Sequence, residues 1–120
     1  MTFKFEKLEV WHLSLEYTDT IYNIAELLPY NEQYNLRSQL IRAVTSISLN
    51  IAEGSTSQTN SEFKQFIKYA VRSCIEVIAC LYLAKRRNYI DPKNFNEAYA
   101  QGEKLFAKLQ ALRRALEKGF

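Results

Sequence analysis

The chain has 120 residues, 48% of them hydrophobic, with three glycines, two prolines and a formal net charge of +3. This composition supports one packed core and excludes a multidomain protein, a disordered chain and a turn-rich all-β fold. The charge is uneven, since residues 1–58 sum to −3 and residues 59–120 to +6.

Four helical segments follow in chain order. The first is predicted over about residues 8–28, ending before Pro29, which disfavours helix in the residue preceding it. Its apolar stripe is read as Leu8, Trp11, Leu15, Tyr22 and Ala25, with Thr18 filling the gap. The second, about 32–53, carries Leu36, Leu40, Val44, Ile47 and Ile51, and stops at Gly54 and the run Ser55-Thr56-Ser57.

The third, about 60–87, opens with Thr59-Asn60-Ser61-Glu62, in which Thr59 can cap the amide of Glu62 while Glu62 reaches back. Its seam is Phe63, Ile67, Ala70, Cys74, Val77, Leu81 and Ala84. The fourth, about 92–117, starts at Asp91-Pro92, an N-cap acid followed by a first-turn proline. Its seam is Phe95, Ala98, Gly102, Leu105, Leu109, Leu112 and Leu116. Spacings of three and four suit knobs-into-holes packing, and short connections make consecutive helices antiparallel. The predicted fold is a single all-α domain, an antiparallel up-down-up-down four-helix bundle over residues 1–120.

The third helix has apolar residues nearly all round. From Tyr69 to Ala84 it reads YAVRSCIEVIACLYLA, with Ile75, Tyr82 and Leu83 near the side that should meet water. Its Arg and Glu, and its short length, argue against a membrane span. Such a helix needs burial on more than one side, either centrally in an irregular bundle or against another copy or a partner protein. Burial against another copy makes Tyr69, Ile75, Tyr82 and Leu83 candidates for a homo-oligomer interface.

Catalytic chemistry is not expected. His12 is the single histidine, with Glu9 and Glu16 at i−3 and i+4, a weak metal cluster without ligands from other helices. There is no zinc-type Cys/His spacing, and the glycines at 54, 102 and 119 form no phosphate loop, so no metal or cofactor is expected. The opening Met1-Thr2-Phe3-Lys4-Phe5-Glu6 lacks a signal-peptide core, and Cys74 and Cys80 stand six apart on one helix, where they do not easily bridge. Both features predict the cytoplasm.

The basic residues are the remaining functional signal. Lys64, Lys68 and Arg72 are four apart on the third helix. Lys85, Arg86 and Arg87 close that helix, where they also complement its dipole. Lys104, Lys108, Arg113, Arg114 and Lys118 line the fourth helix. Together they could neutralise phosphates, while Tyr69, Tyr82, Tyr89 and Tyr99 could stack on unpaired bases. Ordinary solvation of helix exteriors accounts for the same charges.

At Asn50-Ile51-Ala52-Glu53-Gly54 the sequence closely resembles the motif of a four-helix-bundle family named after proteins encoded in intervening sequences of bacterial 23S rRNA genes. The similarity extends to Phe5-Glu6-Lys7-Leu8-Glu9-Val10-Trp11, to Ser38-Gln39-Leu40 with Arg42-Ala43, and to Glu62-Phe63, Phe66, Ser73 and Glu76. The resemblance implies a homopentamer. It also implies a distant relation to the accessory variability proteins of diversity-generating retroelements, which bind RNA and a reverse transcriptase. The chain departs from the family pattern at Ser48-Leu49, where Pro-Ser is common, and at Arg72, where a small residue is common.

Arg42 and Glu53 are about three turns apart on one face of the second helix, with Asn50 between them. Two readings are open for these residues and Gly54: a buried polar network reaching Glu76, or contact with a ligand. Function likewise has two readings. One is RNA binding by the basic faces of helices three and four. The other is a scaffold that docks a partner such as a reverse transcriptase without RNA affinity.

Overall fold

The computed structural model describes residues 2–119. The helices are α1 (Glu9–Ala25), α2 (Leu36–Gly54), α3 (Asn60–Arg86) and α4 (Pro92–Glu117), with 3-10 turns at Lys4–Lys7 and Tyr30–Glu32. No strand occurs among the described residues. Each helix packs on its sequence neighbours, α1 closes on α4, and the diagonal pairs α1/α3 and α2/α4 stand apart.

Side-chain contacts give the direction of packing. Ser46 meets Ser73 while Gly54 meets Phe63 and Phe66, so α2 and α3 run antiparallel. Lys64 meets Glu117 while Tyr82 meets Phe95, which makes α3 and α4 antiparallel as well. Thr20 meets Gln101 and Glu9 meets Lys108 across α1 and α4.

The N-cap bonds of α3 and α4 form at the predicted residues. Thr59 Oγ1 accepts from the Glu62 amide at 3.1 Å, and Asp91 Oδ1 accepts from the Asn94 amide at 2.7 Å. The first connection departs from expectation, because it spans residues 26–35 and takes residues from both helices. α1 tapers through tight turns, with the Leu27 and Leu28 amides bonded to Ile24 and Ala25, as the helix approaches Pro29. Before α2, the Glu32 carboxylate accepts from the Leu36 amide, from Asn35 Nδ2 and from the Tyr89 hydroxyl at 2.9 Å. Glu32 therefore works as an anchor outside the helix and ties this connection to the one between α3 and α4. The Tyr89 bond, foremost, holds its carboxyl below the usual carboxylate range, and Arg87 adds to the shift.

Every predicted seam residue of α2 and α3 is buried, and all of α4's are except Leu112, which is half-buried. The α1 seam is different. Val10, Ser14, Tyr17, Ile21, Ile24 and Leu28 face the core, whereas Leu15 and Tyr22 are exposed. Ser14 bonds its hydroxyl to the Trp11 carbonyl at 2.6 Å, which lets a polar residue occupy a buried position.

Tyr17 is fully buried against Gly102. A Cβ at position 102 would collide with the Tyr17 hydroxyl and stand 2.7 Å from Ile78 Cδ1, so this glycine makes room for a tyrosine. Burial pushes the Tyr17 hydroxyl well above its ordinary pKa, and pushes the neighbouring Cys74 thiol up to about 12. The Tyr17 oxygen has no hydrogen-bond partner among the described residues. An unpaired buried hydroxyl costs about 1–3 kcal/mol, so Tyr17→Phe is expected to leave stability unchanged or raise it by up to about 1 kcal/mol. Urea denaturation measures this directly, and a loss of about 1 kcal/mol or more would show that the hydroxyl is bonded.

Candidate nucleic-acid interface

The cations sort into three places that periodicity alone does not separate. The first is the joint between the start of α3 and the end of α4. Lys64 Nζ lies 2.8 Å from Glu117 Oε1, and Arg113 reaches the same oxygen at 3.9 Å while its Nε donates to Gln110 Oε1 at 2.9 Å. Beside them, Lys68, Arg72 and Arg113 line a cavity of about 210 Å³, with Val71 as its apolar wall and Gln110 on its rim. Lys68 and Arg72 have no carboxylate partner among the described residues. Arg114 is near enough to help lower the Glu117 carboxyl, although Lys64 is the main cause. Lys64, Arg113 and Arg114 thus act on the Glu117 carboxylate, while Lys68 and Arg72 beside it have no acid of their own, which leaves net positive charge on a concave surface.

The second place is the far end of the same helix pair. Lys85 Nζ sits 4.4 Å over the Phe95 ring, and Tyr82, Leu83, Lys85, Arg86 and Asn88 line an open depression of about 630 Å³. The third place is the α4 face toward α1. Lys108 pairs with Glu9 at 3.2 Å, and Lys104 lies one turn earlier on that face. Lys104 and Lys108 therefore stand apart from the α3 ridge.

The motif residues gather differently from the predicted network. Arg42, Asn50 and Glu53 line one groove of about 860 Å³ on the outside of α2, together with Tyr22, Tyr34 and Leu49. Asn50 Nδ2 donates to the Ser46 carbonyl and hydroxyl, both at 2.9 Å, and Ser46 Oγ accepts from Ser73 at 2.9 Å. Ser46 and Ser73, short hydroxyls that bridge α2 and α3, replace the expected link to Glu76. Glu76 is exposed and pairs with neither Arg42 nor Glu53. The grouping of Arg42, Asn50 and Glu53 is what the ligand-contact reading of these residues requires, and the groove adds the short polar side chains of Ser38, Thr45 and Ser46 to its wall.

Gly54 is buried as the last residue of α2, with Phe66 Cβ 2.6 Å from where its own Cβ would stand. His12 is not grouped with Glu9 and Glu16 around a common point. Its Nε2 donates to the Glu6 carbonyl at 2.6 Å, and its ring lies edge-on to Trp11. No cluster of three or more metal-ligating side chains occurs among the described residues, and no helix there is long and apolar enough to cross a membrane.

Among the apolar candidates, Ile75 and Leu83 are more than half exposed on α3, as is Leu49 on α2. Tyr69 is somewhat less so and touches Phe66 edge-on. Tyr82 is turned toward α4, where it packs on Phe95 and Tyr99.

The family model for 23S rRNA-intervening sequence proteins matches residues 6–111, which takes in all of α1 to α3 and most of α4. The chain belongs to this family. A crystal structure of a protein of unknown function from the S23 ribosomal protein family of Bacteroides thetaiotaomicron has the same fold, with a TM-score of 0.79 and 26% identity. The similarity covers 87% of this chain and 97% of that one. No curated protein matches the chain. Among the residues that carry this 23S rRNA-intervening sequence fold, the buried Gly54 and the Asn50–Ser46–Ser73 link fix how α2 sits on α3.

Proposed function

We propose that this member of the 23S rRNA-intervening sequence family is a non-enzymatic cytoplasmic homo-oligomer that binds RNA through the cations of α3 and α4. The observation that carries this reading is the convergence of Lys68, Arg72 and Arg113 on one cavity whose lining contains no acid. Arg113 is oriented by its bond to Gln110, and Lys68 and Arg72 reach the same cavity from the packed neighbouring helix, so the three can converge on one phosphate. The resemblance implies five copies. The exposed Ile75, Tyr69 and Leu49 support assembly, because apolar side chains on the outer faces of adjacent helices gain from being covered by another copy. Repetition of a modest basic site around the assembly then adds avidity.

The groove outside α2 supports a second reading, in which Tyr22, Tyr34 and Leu49 dock a protein such as a reverse transcriptase and RNA affinity is absent. Light scattering after size exclusion at low salt, with absorbance at 260 and 280 nm, tests the proposal. The expected result is a mass several times 14.0 kDa, about five-fold for a pentamer, with co-purifying nucleic acid. A monomer free of nucleic acid would count against both assembly and RNA binding.

A further inference from the structure

We infer that the α3–α4 end farthest from the Lys68–Arg72–Arg113 cavity is a stacking site for an unpaired RNA base, which makes the protein selective for single strands. This rests on the RNA-binding reading above and specifies which form of RNA is bound. The ring of Tyr82 is half exposed, yet it is fixed by edge contacts to Phe95 at 4.9 Å and Tyr99 at 6.2 Å. Phe95 and Tyr99 are themselves stacked at 5.8 Å, so Tyr82 rests on a rigid aromatic base. An aromatic ring held this way loses little freedom when a base settles against it.

Charge and hydrogen-bonding groups adjoin the ring. Arg86 lies one turn beyond Tyr82 and has no ion pair among the described residues, and Lys85 is held over Phe95. Asn88 stands on the rim with a left-handed backbone (φ 61°), and its amide can both donate to and accept from a base edge. The open depression of about 630 Å³ that these residues line has room for a nucleotide. A stacked duplex does not offer a base face to such a surface, so the site favours unpaired RNA.

The spacing also fits a strand. Lys64, Lys68, Arg72, Tyr82 and Arg86 share one stripe of α3, at steps of four, four, ten and four residues. Arg72 and Tyr82 are therefore about 15 Å apart along the helix. That distance is about four nucleotide steps at ~3.4 Å each, fewer if the strand is extended. One strand can hold its phosphates at the cavity and stack a base on Tyr82.

The test measures fluorescence anisotropy with a labelled 12-nucleotide oligo(U), a 12-nucleotide oligo(A) and an RNA duplex of 12 base pairs. Wild type, Tyr82→Ala and Tyr82→Phe are compared, with melting and light scattering on each. Wild type is expected to prefer single strands. Tyr82→Ala should weaken single-strand binding by about 10-fold or more and leave duplex binding unchanged, while Tyr82→Phe keeps wild-type affinity. If wild type binds both forms alike and Tyr82→Ala is silent, the stacking site is wrong while RNA binding stands. Binding of neither form by wild type would overturn the RNA reading itself. If Tyr82→Ala breaks the assembly or lowers both affinities equally, Tyr82 belongs to a subunit contact and the stacking site is again overturned.

Discussion

Replacing Gly54 by Ala is expected to destabilise the bundle by about 1–2 kcal/mol, a drop of roughly 3–10 °C in melting temperature. The new methyl would stand 2.6 Å from Phe66 Cβ and 3.0 Å from Phe63 Cδ1. Phe66 Cβ is attached directly to the α3 backbone and cannot swing aside, so relief requires the two helices to separate. Separation would loosen buried Ile51, Phe63 and Ile67, and overpacking of this kind costs about 1–3 kcal/mol. The gain in helix propensity offsets up to about 1 kcal/mol of that, and less here because Gly54 ends its helix. Below the melting transition, RNA affinity should be unchanged, since Gly54 lines none of the basic sites. Differential scanning calorimetry reads the first outcome. Unchanged melting would mean that α3 yields without cost and that the close approach of α2 and α3 is not what requires this glycine.

The triple variant Lys68→Glu, Arg72→Glu and Arg113→Glu is expected to weaken RNA binding by about 100-fold or more. Each wild-type cation offers a charge-assisted contact of roughly 1.5–3 kcal/mol, and each glutamate would repel the same phosphate. Stability should change little, because Lys68 and Arg72 are exposed and Arg113 loses only its contacts to Gln110 and the exposed end of Glu117. A matched variant, Lys104→Glu and Lys108→Glu, should affect binding far less, since Lys108 is held by Glu9 of α1 and Lys104 lies one turn before it, away from the cavity. Binding measured by anisotropy separates the two. Equal losses would show diffuse attraction to a basic protein rather than a site at the α3–α4 joint.

The seams of α2, α3 and α4 were legible because their apolar residues recur at three and four with few rivals. α1 carries two parallel stripes at that spacing. The stripe of Leu15 and Tyr22 is as apolar in sequence as the one through Tyr17 and Ile21, which Ser14 interrupts. The choice is made by packing, since Tyr17 requires the space left by Gly102 on a helix 85 residues later. Hydropathy along one segment carries no trace of that partner.

The functional surface divides in the same way. The Lys64–Lys68–Arg72 ridge follows from spacing within α3. Which α4 cations join it depends on register between helices, and that brought in Arg113 and Arg114 while turning Lys108 to Glu9. The polar link of the motif runs through Ser46 and Ser73 rather than Glu76 for a related reason. Side-chain reach across α2 and α3 favours Ser46 and Ser73, whose hydroxyls bond directly at 2.9 Å, over the longer and charged Glu76, which gains more from water.

The most direct measurement is the dependence of single-stranded RNA affinity on salt for wild type and for the Lys68/Arg72/Arg113 triple variant. Three phosphate contacts per subunit predict that log K falls against log salt with a slope of about −2 per engaged subunit, and that the triple variant loses most of that slope. A wild-type affinity indifferent to salt, or a triple variant with an unchanged slope, would contradict RNA binding at this joint.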